Sequence, residues 1–238
     1  MAAAASWPFI HPVFIGKRMT LQVIEAQTGE NPVATILIMH GLGADGRDFV
    51  PIAEQLDLSG VGPVRFLFPS APHMPVTING GYTMPAWYDI LGADLVSHQD
   101  EAGMRQSQAA MEAIIANEKS RGMAASRIVL AGFSQGCAMA LMTGLRHSER
   151  LAGIAGLSGY LPLADKTAAE GSAANKDVPI FLAHGSRDGV VALPRAVATR
   201  DALTALGYPV EWHEYPMEHS VCPQEVADLE KWLLRVLA

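Results

Sequence analysis

Ser134 stands in Gly132-Phe133-Ser134-Gln135-Gly136, with a glycine two residues to either side. The apolar run Ile128-Val129-Leu130 before it reads as a strand, and the Ala- and Met-rich residues after it read as a helix. Strand, sharp turn and helix make a nucleophile elbow, in which the serine sits in a strained turn that admits only small neighbours. A serine hydroxyl is a weak nucleophile at its own pKa, so it needs a base within hydrogen-bond reach and an acid to orient that base.

Behind an elbow of this kind the chain order is nucleophile, acid, base. His11, His40, His73 and His98 precede Ser134 and are rejected; His147, His184, His213 and His219 follow it. His147 falls at a helix end and reads as a surface cap. His184 has no strand-end acid before it and reads as a brace for its turn, while His213 lies mid-strand. His219 follows the last strand in a short loop, Pro216 to Pro223, from which a base can reach sideways to the elbow. Among the acids, Asp165 and Asp177 lie in irregular sequence and Asp201 on a solvent-facing helix. Asp188 lies just past a buried strand, so Ser134, Asp188 and His219 form the expected triad.

Two other glycine-rich turns imitate functional motifs. Gly41, Gly43 and Gly46 spell the dinucleotide fingerprint after a strand. That fold needs an acidic residue near the end of the second strand, and here the strand ends Phe68-Pro69-Ser70-Ala71-Pro72. The loop reads instead as the source of one backbone N–H for an oxyanion hole. The amide of Gln135, next to the nucleophile at a helix N-terminus, supplies the second. Ser158 in Gly156-Leu157-Ser158-Gly159-Tyr160 is a decoy, because Tyr160 stands where an elbow needs a small residue. No His-Glu-x-x-His or paired Cys-x-x-Cys suggests a metal, so the expected metal and cofactor content is none.

The elements that must position these residues alternate along the chain. Met19 to Glu25 reads as an antiparallel edge strand, Val33 to Met39 as a strand buried on both faces, and Phe49 to Leu56 as a short helix. Val64 to Phe68 is the next strand. From Pro72 to about Val96 nothing is periodic, and prolines, glycines, Tyr82, Trp87 and Tyr88 suggest a functional loop and candidate substrate surface. Glu101 to Lys119 reads as a helix, Leu151 to Leu157 as a strand, and Pro162 to Asp177 as a loop. Val178 to Ala183 is a strand, Pro194 to Leu206 a helix capped by Gly207, Val210 to Tyr215 a strand, and Gln224 to Leu237 an amphipathic helix. The fold class is α/β: a mainly parallel central sheet with helices on both faces, and with sites at the carboxyl ends of its strands.

With 50% hydrophobic and 17% charged residues, 238 residues are enough for one such core. The expected organisation is an N-terminal extension, 1–18, and a single domain, 19–238. In the extension Pro8, His11 and Pro12 interrupt the apolar residues and Lys17 and Arg18 come after them, an order unlike that of a signal peptide. No run reaches the length needed to span a bilayer. A net charge of −7 without long runs of one sign argues against a nucleic-acid partner. Two cysteines make no disulfide framework and fit a reducing, cytoplasmic location. The aromatic and proline-rich stretch from Pro72 to Ile90 could pair two subunits as a homodimer.

Six segments in order, His40-Gly41-Leu42-Gly43-Ala44-Asp45-Gly46, Phe68-Pro69-Ser70-Ala71-Pro72, Trp87-Tyr88-Asp89, Gly132 to Gly136, His184-Gly185 with Asp188, and His219-Ser220-Val221-Cys222-Pro223, resemble the acyl-protein thioesterase and carboxylesterase branch of the α/β-hydrolases. The resemblance runs from about His40 to Trp232. It implies an α/β-hydrolase fold and a cofactor-free serine hydrolase acting on a small-molecule ester or thioester. By that likeness Leu42 and Gln135 provide the oxyanion amides, and Trp87 and Val190 lie in the substrate region. The chain departs from the pattern at Glu218, where glycine generally precedes the histidine, and at Ala192, where proline is common. The expected function is that of a serine carboxylesterase for short- to medium-chain esters. The alternatives are a thioesterase or lysophospholipase-like deacylase and a noncatalytic binding protein on the same fold.

Overall fold

The computed structural model describes residues 9–15, 19–92, 94–95 and 97–238. Of the stretch read as an extension, residues 1–8 and 16–18 lie outside the described residues. Ten strands are present among the described residues: β1 (Phe9–Ile15), β2 (Met19–Gln27), β3 (Ala34–Met39), β4 (Val64–Pro69), β5 (His73–Val76), β6 (Tyr82–Pro85), β7 (Ile128–Phe133), β8 (Gly153–Leu157), β9 (Ile180–Gly185) and β10 (Val210–Tyr215). The helices are α1 (Val50–Ala53), α2 (Glu101–Ser120), α3 (Gln135–Arg146), α4 (Ala164–Glu170), α5 (Leu193–Ala205) and α6 (Pro223–Val236).

Eight strands form one sheet in the order β1-β2-β4-β3-β7-β8-β9-β10. From β4 to β10 every pairing is parallel, and β2 and β1 join antiparallel at one side. Alternate residues of each central strand enter opposite cores, which is why these strands read as continuous apolar runs. Leu37, Leu67 and Leu130 pack with α2 and α3 through Met111, Ile115, Met139 and Met142. Ile36, Phe66 and Val129 pack on the other face with Phe49, Leu229, Trp232 and Leu233. The expected sheet with helices on both faces is the observed one.

Four expectations need correction. β2 is not an edge strand, because β1 pairs along it from Phe9↔Glu25 to Ile15↔Met19. The aperiodic stretch after Pro72 contains a hairpin, β5 with β6, whose Gly80 and Gly81 turn takes φ of 66 and 81°. Strands of four residues, interrupted by Pro75 and closed by Pro85, are too short to show a period. The short helix after β3 begins earlier than expected, as a 3₁₀ turn over Gly46–Phe49 capped by Asp45, whose side chain accepts from the Arg47 amide at 2.7 Å. Finally, the segment read as a loop from Pro162 holds α4, a seven-residue helix with no side-chain N-cap bond, stopped at Gly171. A helix this short and uncapped depends on its packing, which sequence does not display.

A buried charge network fixes α2 on the sheet. Glu118, 1% exposed, accepts from Thr35 Oγ1 at 2.7 Å, Arg65 Nη1 at 2.6 Å and Arg121 Nη1 at 2.9 Å. Arg121 also reaches both Glu25 oxygens at 2.7 Å, and Arg65 Nε lies 3.2 Å from Glu25. A buried carboxylate with three donors avoids the penalty an unpaired one would carry.

Candidate active site

β7 ends at the centre of the sheet, and α3 begins two residues later, so Ser134 is forced into the connecting turn with φ 54° and ψ −116°. The two flanking glycines have a steric cause. A Cβ on Gly132 would run into the Gly136 carbonyl, and one on Gly136 into the Met39 carbonyl at the end of β3. The Ser134 amide is tied to Leu157 O at 2.8 Å, so the turn is anchored to β8 while the side chain points outward.

The acid and base arrive from the ends of β9 and β10, beyond β8 in the sheet. After β9 and β10 the loops are laced together: the Arg187 amide donates to Met217 O at 3.0 Å, and Ser186 to Tyr215 O at 2.8 Å. This lacing brings Asp188 against His219. His219 Nδ1–H donates to Asp188 Oδ2 at 2.6 Å, and Nε2 faces Ser134 Oγ at 2.9 Å. Since a carboxylate only accepts, the proton sits on Nδ1 and Nε2 is free to accept from the serine. Asp188 is itself held, its Oδ1 accepting from the Val190 and Val191 amides at 2.8 Å each. The His219 ring rests on Phe133 at 4.7 Å between centroids. Thus the three residues expected from sequence are brought together.

Leu42 lies in the turn after β3, where the Gly43 amide is taken by Pro85 O at 2.9 Å and the Ala44 amide by Gly41 O at 3.3 Å. The Gln135 amide is the first of α3, where no intrahelical acceptor exists. His40 braces the Leu42 turn: its Nε2 accepts from the Ala71 amide at 2.9 Å and its Nδ1 donates to Gly41 O at 2.7 Å. Burial holds its pKa below the usual histidine range, so it braces as a neutral ring. Gly46, the last glycine of the dinucleotide-like pattern, packs against Phe68; a Cβ there would strike the Phe68 carbonyl. The pattern therefore has a packing cause in this chain.

Trp87 is 2% exposed, with Nε1 donating to His40 O at 2.9 Å. Sequence reasoning missed the latch beside it. The Gln135 side chain accepts from the Trp87 amide at 2.8 Å and donates to Tyr88 O at 2.7 Å, and Ser107 Oγ donates to Trp87 O. Nothing in the spacing from Trp87 to Gln135 announces that pairing. Val190 is 68% exposed on the acid loop. Two other histidines downstream of Ser134 have their own partners: His147, expected at the surface, is buried and bonds Glu112 at 2.7 Å, and His213 stacks on Phe181 at 4.8 Å. Ser158 is fully buried. A cleft of 670 Å³ runs outside the Leu42 turn, lined by Gln22, Asp45, Arg47 and Ser70 among others, without Ser134 or His219. The chemistry, and not the size of a cavity, marks the site.

Among the described residues no cluster of three or more His, Cys, Asp or Glu could hold a metal, and no helix is long and apolar enough to cross a membrane. Cys137 and Cys222 are free, and burial pushes the Cys137 thiol up to about 12, which makes it unreactive at neutral pH.

Just beyond the base loop, in the first turn of α6, Glu225 is fully buried with neither carboxylate oxygen hydrogen-bonded. Burial pushes its pKa from 4.5 up to about 8. Between those values the unfolded chain is ionised while the folded one keeps its proton, so this group's stability is full below pH 4.5 and declines as pH rises through 8. Each tenfold change in proton affinity between the two states corresponds to about 1.4 kcal/mol. Glu225→Gln is therefore expected to stabilise the protein by several kcal/mol above pH 8, and little at pH 4.5. Urea unfolding of both proteins at acid and alkaline pH checks this; a difference that does not grow with pH contradicts it.

Residues 19–237 match the phospholipase/carboxylesterase family. The chain is similar to acyl-protein thioesterase 1 of Yarrowia lipolytica, 40% identical over 205 residues covering 84% of this chain and 90% of the relative. It is likewise similar to acyl-protein thioesterase 1 of Emericella nidulans, 42% identical over 218 residues covering 86% and 90%. Among solved structures it resembles Arabidopsis thaliana SOBER1, with a TM-score of 0.78 and 30% identity over 86% of this chain and 99% of that one. Zea mays acyl-protein thioesterase 2 superposes with a TM-score of 0.76 at 30% identity over 90% and 99%. With an α/β-hydrolase sheet, a serine in an elbow and these relatives, the chain belongs to the phospholipase/carboxylesterase family and is a serine hydrolase of the carboxylic ester class.

Proposed function

We propose that this hydrolase is a serine carboxylesterase that cleaves short- to medium-chain carboxylic esters through Ser134, His219 and Asp188. The observation that carries the reading is the unbroken relay from Ser134 Oγ to His219 at 2.9 Å and from His219 to Asp188 at 2.6 Å. His219 Nε2 takes the Ser134 proton as Oγ adds to the ester carbonyl. The Leu42 and Gln135 amides stabilise the resulting oxyanion, each such donor contributing about 3 kcal/mol. The protonated His219 then gives its proton to the departing alkoxide, leaving an acyl group on Ser134. A water deprotonated by the same nitrogen attacks that acyl-enzyme, the tetrahedral intermediate collapses, and Ser134 recovers its proton.

Trp87 acts in this reading as a support: buried, it holds the His40 carbonyl behind the Leu42 turn, while Val190 is exposed on the acid loop. The relatives named acyl-protein thioesterase 1 favour a second reading, in which the acyl group leaves a thiolate. Comparison of kcat/KM for matched oxygen esters and thioesters over increasing acyl length separates the two. Highest kcat/KM on short and medium oxygen esters is expected; a preference for long-chain thioesters would replace the first reading with the second.

A further inference from the structure

His184 is fully buried at the end of β9, four residues before Asp188. Its Nε2 lies 2.7 Å from Val191 O, and since a carbonyl only accepts, that nitrogen carries the proton. The same Nε2 lies 3.4 Å from Asp188 Oδ2, the oxygen that receives His219. The bonds form a chain from one ring to the other. His184 holds the Val191 carbonyl, the Val191 amide holds Asp188 Oδ1 at 2.8 Å, and Asp188 Oδ2 holds His219 at 2.6 Å.

The other ring nitrogen explains why this is more than filling. His184 Nδ1 is buried with no partner, and on the neighbouring strand end Ser158 Oγ is buried with none either. The register pairs Leu157 with Ala183, so Ser158 and His184 are the next residues on adjacent parallel strands, and the Ser158 amide donates to Ala183 O at 2.8 Å. An orphaned buried nitrogen destabilises a fold, and an aliphatic side chain in this apolar layer would avoid it. What the aliphatic side chain lacks is the Nε2–H. Burial also lowers the His184 pKa, so the ring stays neutral and adds no charge beside the carboxylate.

We propose that His184 is a positioning residue for the general base: through Val191 it fixes the acid loop so that Asp188 keeps the short bond to His219. The inference rests on the Ser134, His219 and Asp188 reading above. Its test uses three variants of the full chain. His184→Leu removes both nitrogens, His184→Asn places an amide only at the reach of Nδ1, and His184→Gln places an N–H at the reach of Nε2. Steady-state ester hydrolysis gives kcat and KM, and proton NMR follows the far-downfield resonance expected of the His219 Nδ1–H. His184→Leu and His184→Asn are expected to lower kcat about 10- to 100-fold, the effect of losing one strong hydrogen bond, with KM little changed and the downfield resonance weakened or moved upfield. His184→Gln is expected to recover most of kcat and the resonance. Should His184→Leu not fold, the comparison of His184→Asn with His184→Gln decides alone. Wild-type kcat in His184→Asn, or equal losses in Asn and Gln variants, would overturn the proposal. Failure of the underlying triad is read separately, as retained turnover in Ser134→Ala.

Discussion

Ser134→Ala is expected to lower kcat for ester hydrolysis by about 10⁶ while leaving the fold intact. The size of the effect follows from removing the hydroxyl that lies 2.9 Å from His219 Nε2, so no acyl-enzyme can form on it. Residual catalysis of about 10³ over water is expected from the two oxyanion amides and from binding, because neither depends on the hydroxyl. The fold survives because the elbow is held by main chain. The Ser134 amide still bonds Leu157 O, and the flanking glycines still clear the Met39 and Gly136 carbonyls. Alanine at φ 54° carries about the same strain as serine there. Steady-state kinetics and a thermal melt check both halves; turnover near the wild-type rate would remove Ser134 from the mechanism.

Asp188→Asn is expected to cost about 10⁴ in kcat with a much smaller effect on KM. The asparagine carbonyl can still accept from the Val190 and Val191 amides, so the acid loop keeps its shape. What changes is the side facing the base, where an amide NH₂ now meets His219 Nδ1. Two donors cannot share that contact, and the imidazole moves its proton to Nε2 so that Nδ1 can accept. With Nε2 protonated, the ring no longer takes the proton of Ser134. Single-turnover kinetics on an activated ester separate this acylation defect from any change in binding. A loss of less than about tenfold would show that Asp188 does not set the tautomer.

The parts of the site legible in sequence are those enforced locally. The Gly132 to Gly136 spacing is fixed by backbone collisions, so it is readable as a motif, and Asp188 and His219 lie in the loops after β9, legible as an apolar run, and β10, legible by its alternation. The alternation of long strands and helices likewise carries the two-layer core. Features made by pairing across the chain were hidden. The Gln135 latch on Trp87 and Tyr88, the Glu118 network from α2 to β4, and the Val191 contact of His184 join residues whose types are ordinary and whose spacing has no period. β1 was hidden for a related reason, since an outer antiparallel strand interrupted by Pro12 looks like an irregular extension until its partner is known. The β5–β6 hairpin and α4 are simply too short for periodicity to reveal.

The exposed Glu218 remains a departure from the resembling family, and it contributes its carbonyl to the turn through the Ser220 amide at 2.9 Å. That main-chain role is open to any residue, so the carboxylate itself has no structural explanation in the turn.

Covalent capture asks whether Ser134 Oγ is the nucleophile. The folded native protein is treated with a serine-reactive fluorophosphonate, digested, and its modified peptide located by mass spectrometry. One adduct per chain on the peptide carrying Ser134, absent when His219 is replaced by Ala, is the expected result. No adduct, or an adduct on another residue such as Ser158, would remove Ser134 as the nucleophile.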